Sequence, residues 1–200
     1  MKNGHYKKNR YYNKTARQIK LYYCFSTNRE LSARNLMLGT GIKSRRTFER
    51  DITDLRDSGL MHAVYDRHSR RYKISQCEFN EEVTGARKKR LKHLYRLGTL
   101  LFGLTIMDID DYAEELDMLE ENAEEDPEHV KGGILPDIAA EYENLFPGLS
   151  KRTRQRDFQI LNSAGDNAPL QNEILNPFDF QIIYNKKYKT YVLIGYDQDY

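Results

Sequence analysis

The sequence predicts a mainly α-helical chain with two β-hairpins, organised as two copies of one module joined by a helical connector. Three observations predict it. Apolar residues recur at helical spacing in several windows, whereas only two short stretches read as strand pairs, and each lies downstream of a helix. A segment recurs after a shift of 106 residues: 44–59 matches 150–165, with identities at Ser44/Ser150, Arg46/Arg152, Thr47/Thr153, Arg50/Arg156, Asp51/Asp157, Leu55/Leu161 and Gly59/Gly165. So many matches in sixteen positions mark an internal repeat. Finally, 200 residues with 39% hydrophobic and 31% charged side chains suffice for one or two modest cores.

Residues 1–14 are polar, basic and rich in Asn and Tyr, and read as a flexible arm. Thr15 is a plausible N-cap for a first helix reaching Ser26, with Ala16, Ile19, Tyr23 and Leu21, Tyr22, Phe25 forming a broad apolar face. Leu31 and Ser32 open a short second helix carrying Leu36 and Met37, which Gly39-Thr40-Gly41 stops. Ser44 caps a third helix running to Ser58, where Phe48, Ile52 and Leu55 fall at i, i+4 and i+7 and Gly59 ends it. Residues 61–66 and 71–75, joined by the polar turn Arg67-His68-Ser69-Arg70, read as a hairpin. Three helices and a hairpin, with Arg46, Arg50 and Thr53 on the outside of the third helix, make a winged helix-turn-helix.

That segment resembles the winged helix of DeoR-type and WYL regulators. The resemblance rests on Leu31-Ser32-Ala33, Ile42, the run Ser44-Arg45-Arg46-Thr47-Phe48-Glu49-Arg50-Asp51-Ile52, then Leu55 and Gly59, and it covers about residues 15–75. It implies that the third helix reads DNA. No sugar-phosphate-binding domain follows, and a W-Y-L motif is impossible without Trp, so the family's effector binding is not carried over.

The second copy is expected to have its own hairpin, 180–184 and 189–194 around a turn at 185–188, since Tyr184 and Tyr191 are spaced like Tyr65 and Tyr72. It diverges in that Arg154 takes the place of Phe48, so Arg154 must reach solvent or a carboxylate. Between the copies, 87–104 reads as a very apolar helix and 108–125 as another. Cations at a helix start and carboxylates at its end oppose the macrodipole, which predicts a break near 105–110. Gly132-Gly133 reads as a joint and 136–145 as the helix before the second reading helix. The expected fold class is thus mainly α with β-hairpin wings: a basic arm at 1–14, a winged helix-turn-helix at 15–80, a connector at 81–130 and a divergent second copy at 131–200.

Charge points to the partner. The net charge of +2 conceals 24 Lys+Arg against 9 Asp+Glu in residues 1–100, and 8 against 21 in residues 101–200. A half so basic attracts polyanions. Helices fit the major groove, where Arg grips guanine bidentately and Gln pairs with adenine. The groove-facing candidates are Arg45, Arg46, Arg50 and Thr53, with Lys151, Arg152, Arg156 and Gln159 in copy two. Ser44, Thr47, Ser150 and Thr153 at the helix starts suit phosphates, as do the wing cations Arg67, Arg70, Arg71, Lys186 and Lys187. The bland alternative leaves these arginines solvated or pairs them with Asp51, Asp54 and Asp157. Residues 87–92 could clamp phosphates or form a solvated linker. The 12 carboxylates between 108 and 128 read as a solvated face.

Other classes find little support. Residues 97–107, the longest nearly uncharged apolar run, are too short for a bilayer and no signal segment opens the chain, so no membrane association and a cytoplasmic location are expected. The five His are scattered, no nucleophile elbow or phosphate loop occurs, and Cys24 and Cys77 are far apart. Neither catalysis nor any metal or cofactor is expected. The expectation is sequence-specific binding of double-stranded DNA by a transcriptional regulator, with a replication initiator or a protein-interaction module as alternatives. A homodimer through 91–119 would cover the apolar connector.

Overall fold

The computed structural model of the chain describes residues 10–27, 32–106, 138–166, 180–186 and 190–195. Two series of the same element order follow one another. The first comprises α1 (Arg10–Thr27), α2 (Ala33–Gly39), α3 (Arg45–Asp57), β1 (His62–Asp66) and β2 (Arg71–Ser75). The second comprises α4 (Gly85–Ile106), α5 (Ile138–Leu145), α6 (Lys151–Asp166), β3 (Phe180–Asn185) and β4 (Thr190–Gly195). The chain is mostly helical, and each strand pair is an antiparallel hairpin that sets Tyr65 opposite Tyr72 and Tyr184 opposite Tyr191. The expectations for the 1–9 part of the arm, the 108–125 helix and its carboxylates, the Gly132-Gly133 joint and Lys187 lie outside the described residues. No helix among the described residues is long and apolar enough to cross a membrane.

Helix α1 begins at Arg10, not Thr15. Its basic first turns gain partners on α3, Lys14 Nζ lying 2.9 Å from Asp54 and Arg17 Nε 2.7 Å from Asp51, so residues expected to be a solvated arm become helix. Nor does α1 have only one buried face: Ile19, Leu21, Cys24 and Phe25 are interior, and so are Gln18 and Lys20. Burial raises the Cys24 thiol pKa to about 11, which makes it inert core.

Ser44 and Ser32 cap α3 and α2 as expected, accepting from Thr47 N at 3.1 Å and Asn35 N at 3.2 Å. Gly59 ends α3 with φ +80, and a Cβ there would stand 2.8 Å from Phe79 N. Any side chain would have to displace backbone, which gives Gly59 a steric reason; its counterpart Gly165 lies within α6.

Helix α4 decides the architecture. Leu91, Leu94, Leu97, Leu100, Leu101 and Leu104 are each at most 1% exposed, because α4 packs on α1, α3 and α6 of its own chain. At Gly98 a Cβ would fall 2.5 Å from the Leu60 side chain, a measure of how closely α4 approaches the segment after α3. The reason for expecting a homodimer through 91–119, cover for an apolar connector, is therefore removed for these leucines, which are already interior, whereas Tyr95 and Phe102 on the same helix are 44% and 52% exposed. Residues 108–119 lie outside the described residues.

A second repeat, missed in the sequence, explains this packing. A shift of 79 residues sets Arg17 on Arg96, Leu21 on Leu100 and Phe25 on Leu104. Contacts are reciprocal, since α1 packs on α3 and α6 while α4 packs on α6 and α3, and α1 and α4 touch each other. The repeat was hidden because the shift changes from 79 to 106 between the first and second helices, the longer intervening segment falling at 107–137.

The exchange of Phe48 for Arg154 is compensated one helical turn away. Phe48 packs edge-on against Tyr72 with centroids 5.7 Å apart. In the second series Phe158, at the position of Ile52, takes that task, 4.9 Å from Tyr191 and 5.7 Å from Tyr142. Glu143 stands where Met37 stands and pairs with Arg154, so an apolar pair has become an ion pair. Arg154 also donates to Ala139 O at 3.3 Å and lies over the Tyr191 ring. It thus reaches a carboxylate, as expected, although its Nε is buried without a partner. Phe48→Ala should cost about 3 to 5 kcal/mol in denaturant melts, through lost burial and a cavity. Arg154→Met should change stability by under about 1 kcal/mol, because the Glu143 left behind is 58% exposed and stays hydrated. Equal losses would show that the two helices pack alike.

Candidate nucleic-acid interface

The inner faces of α3 and α6 are held by buried carboxylates. Asp51 accepts from Arg17 Nε at 2.7 Å and Gln18 Nε2 at 3.0 Å. Asp54 accepts from Lys14 and Gln18 at 2.9 Å and from Arg90 at 2.8 Å, while Arg87 reaches Asp57 at 2.6 Å. In the second series Asp157, 1% exposed, accepts from Arg96 Nε at 2.6 Å and the Tyr142 hydroxyl at 2.6 Å, with His93 Nε2 at 2.8 Å. Burial alone would raise the pKa values of Asp54 and Asp157. Hydrogen bonds outweigh it, from Arg90, Lys14 and Gln18 in one case and His93, Arg96 and Tyr142 in the other, and hold both carboxyls below their ordinary range.

Helix α4 bridges the two, with Arg87 and Arg90 on α3 and His93 and Arg96 on α6. Cations crowd the start of α4 against its dipole, and the α3 carboxylates offset that repulsion. The idea that 87–92 clamps phosphates is accordingly narrowed: Arg87 and Arg90 are committed to α3 and Lys88 pairs with Glu81 at 2.6 Å, whereas Lys89 and Lys92 are exposed.

The repeat identities can now be sorted by task. Ser44 and Ser150 are caps, with Thr47 and Thr153 as their partners: the hydroxyls meet at 2.8 and 2.9 Å, and Thr153 N donates to Ser150 Oγ at 3.2 Å. Asp51 and Asp157 anchor the helices, and Leu55 and Leu161 fill the core. Two identities have no structural task. Arg46, Arg50, Arg152 and Arg156 are exposed, and none makes an ion pair or side-chain hydrogen bond among the described residues. Pairing with Asp51, Asp54 and Asp157 is ruled out, because those carboxylates are occupied by cations of α1 and α4; the exposure of the four arginines fits solvated side chains as well as a ligand's contacts.

The other expected residues divide. Arg45 is partly engaged, its Nε 2.8 Å from Glu49 and its guanidinium 3.3 Å from the Tyr72 hydroxyl. Thr53 donates its hydroxyl to Glu49 O at 2.9 Å and is exposed, as are Lys151 and Gln159. Arg67, Arg70 and Arg71 are exposed at the first hairpin turn, where Arg70 adopts φ +56 and Asp66 accepts from His68 N at 2.9 Å. Lys186 is exposed at the second turn. Sequence reasoning missed Arg17, Gln18, Arg96 and Tyr142 as anchors; the 79-residue repeat, which sets Arg17 on Arg96, was a signal for those two.

No family model matches the chain, and comparison with curated proteins and with solved structures finds no match.

Proposed function

We propose that the chain is a sequence-specific double-stranded DNA-binding protein acting in transcriptional regulation, built as tandem winged helix-turn-helix modules that read DNA with α3 and α6. In this reading α4 is the first helix of the second module, not a connector, and β1–β2 and β3–β4 are the wings. One observation carries it. Arginines recur at two matched positions on the outer faces of α3 and α6, and among the described residues none of them has an ion pair or side-chain hydrogen bond. Repetition without an intramolecular task is what a shared ligand produces, and exposed guanidiniums on a helix suit guanine edges and phosphates. The charge excess of the first 100 residues has the same sense.

Selection from random duplex DNA, followed by sequencing of what is retained, tests the reading. A recurrent motif of two parts is the expected result. If each module neutralises about three to four phosphates, log K against log salt should fall with a slope of about −5 to −7. No enrichment, or binding indifferent to salt, would leave the arginines unexplained and reject the proposal.

A further inference from the structure

The geometry points to a phosphate-binding site in the cleft between α4 and α6. It takes its setting from the DNA-binding reading but rests on its own residues. The cleft, about 280 Å³, is lined by Lys89, His93 and Arg96 of α4 and by Thr153, Arg156 and Asp157 of α6. Residues 89, 93 and 96 stand at i, i+4 and i+7, one stripe of the helix. The inner two are bound to Asp157, whose carboxylate offsets the charge of Arg96. Arg90, also at the cleft, is turned to Asp54.

Lys89 and Arg156 remain. Both are exposed at the mouth, and neither has an ion-pair partner among the described residues. Two cations facing one small space without a counter-ion favour an anion, and Thr153 places the first turn of α6, the positive end of its dipole, beside them. A tetrahedral phosphate has the oxygens to meet an ammonium, a guanidinium and a helix start at once. The pattern repeats in the sequence: the 79-residue shift sets Lys89 on Arg10 and the 106-residue shift sets Arg156 on Arg50. The phosphate can come from the DNA backbone or from a free phosphorylated compound.

The full chain and Lys89→Gln distinguish these sources. Lys89 is exposed and has no ion-pair partner among the described residues, so the variant should melt like wild type, and circular dichroism checks this. The first arm measures the salt dependence of duplex binding; the second follows the amide shifts of Thr153, Arg156 and Asp157 as inorganic phosphate is added at constant ionic strength. A slope shallower by about 1 in Lys89→Gln assigns the site to the DNA backbone. An unchanged slope, with saturable phosphate shifts in wild type that vanish in the variant, assigns it to a free phosphorylated compound. If wild type binds no duplex, the DNA reading fails while the phosphate titration still decides the cleft. An unchanged slope with no saturable shifts overturns the proposal.

Discussion

Asp157→Ala should destabilise the protein by about 3 to 5 kcal/mol, more than any surface substitution in α6. The carboxylate is 1% exposed and holds Arg96, His93 and the Tyr142 hydroxyl, with Arg96 itself only 18% exposed. Removing it leaves a nearly buried guanidinium without its counter-charge and a phenol without its acceptor. Arg152→Ala, five residues nearer the helix start and exposed, should change stability by under about 0.5 kcal/mol. The same anchors set the acid response. The folded pKa values of Asp54, Asp57 and Asp157 lie below the ordinary 3.8. Their contribution is therefore complete above the unfolded value and is lost as pH falls from about 4 toward the folded pKa values. Denaturant midpoints should be level from pH 7 to 5 and fall steeply below 4, and less steeply in Asp157→Ala. A midpoint that holds from pH 5 to 2 would mean that these carboxylates do not anchor the helices.

The second large effect concerns binding. Arg46→Ala with Arg50→Ala, and Arg152→Ala with Arg156→Ala, should each weaken the selected duplex by about 2 to 5 kcal/mol, on the basis of about 1 to 3 kcal/mol for each guanidinium that grips a base. The quadruple variant should bind selected and scrambled duplexes alike, yet melt within about 1 kcal/mol of wild type, since all four are exposed and none has an ion-pair or hydrogen-bond partner among the described residues. Isotherms at one fixed salt concentration, beside melts, provide the measurement. If the α6 pair leaves affinity unchanged while the α3 pair abolishes it, only the first module reads DNA. If neither matters, the proposed function is wrong.

Leu101→Glu belongs with the stability variants. At 1% exposure in the interior of the chain, a glutamate there should unfold the protein instead of releasing a monomer from a dimer.

Local chemistry was legible in the sequence. The caps Ser32 and Ser44, the exit at Gly59, both hairpins, the helical spacing of Phe48, Ile52 and Leu55 and the 106-residue repeat all follow from interactions within a few residues, which a one-dimensional pattern records. The outward position of Arg46 and Arg50 follows from the same periodicity. Pairings between distant residues were not legible. The sequence shows Lys14, Arg17, Arg90 and Arg96 only as cations, and Asp51, Asp54 and Asp157 only as carboxylates open to Arg46, Arg50, Arg152 and Arg156 as much as to any other cation. Which cation meets which carboxylate depends on how α1 and α4 cross α3 and α6, and that depends on where seven or more apolar side chains find cover. Tertiary packing therefore decided that 10–14 is helix and not arm, that the leucines of α4 are interior to the chain, and that Phe158 replaces Phe48 as the ring against the hairpin. In each case burial of apolar surface, a sum over many elements, set the geometry, and the charges then paired within it.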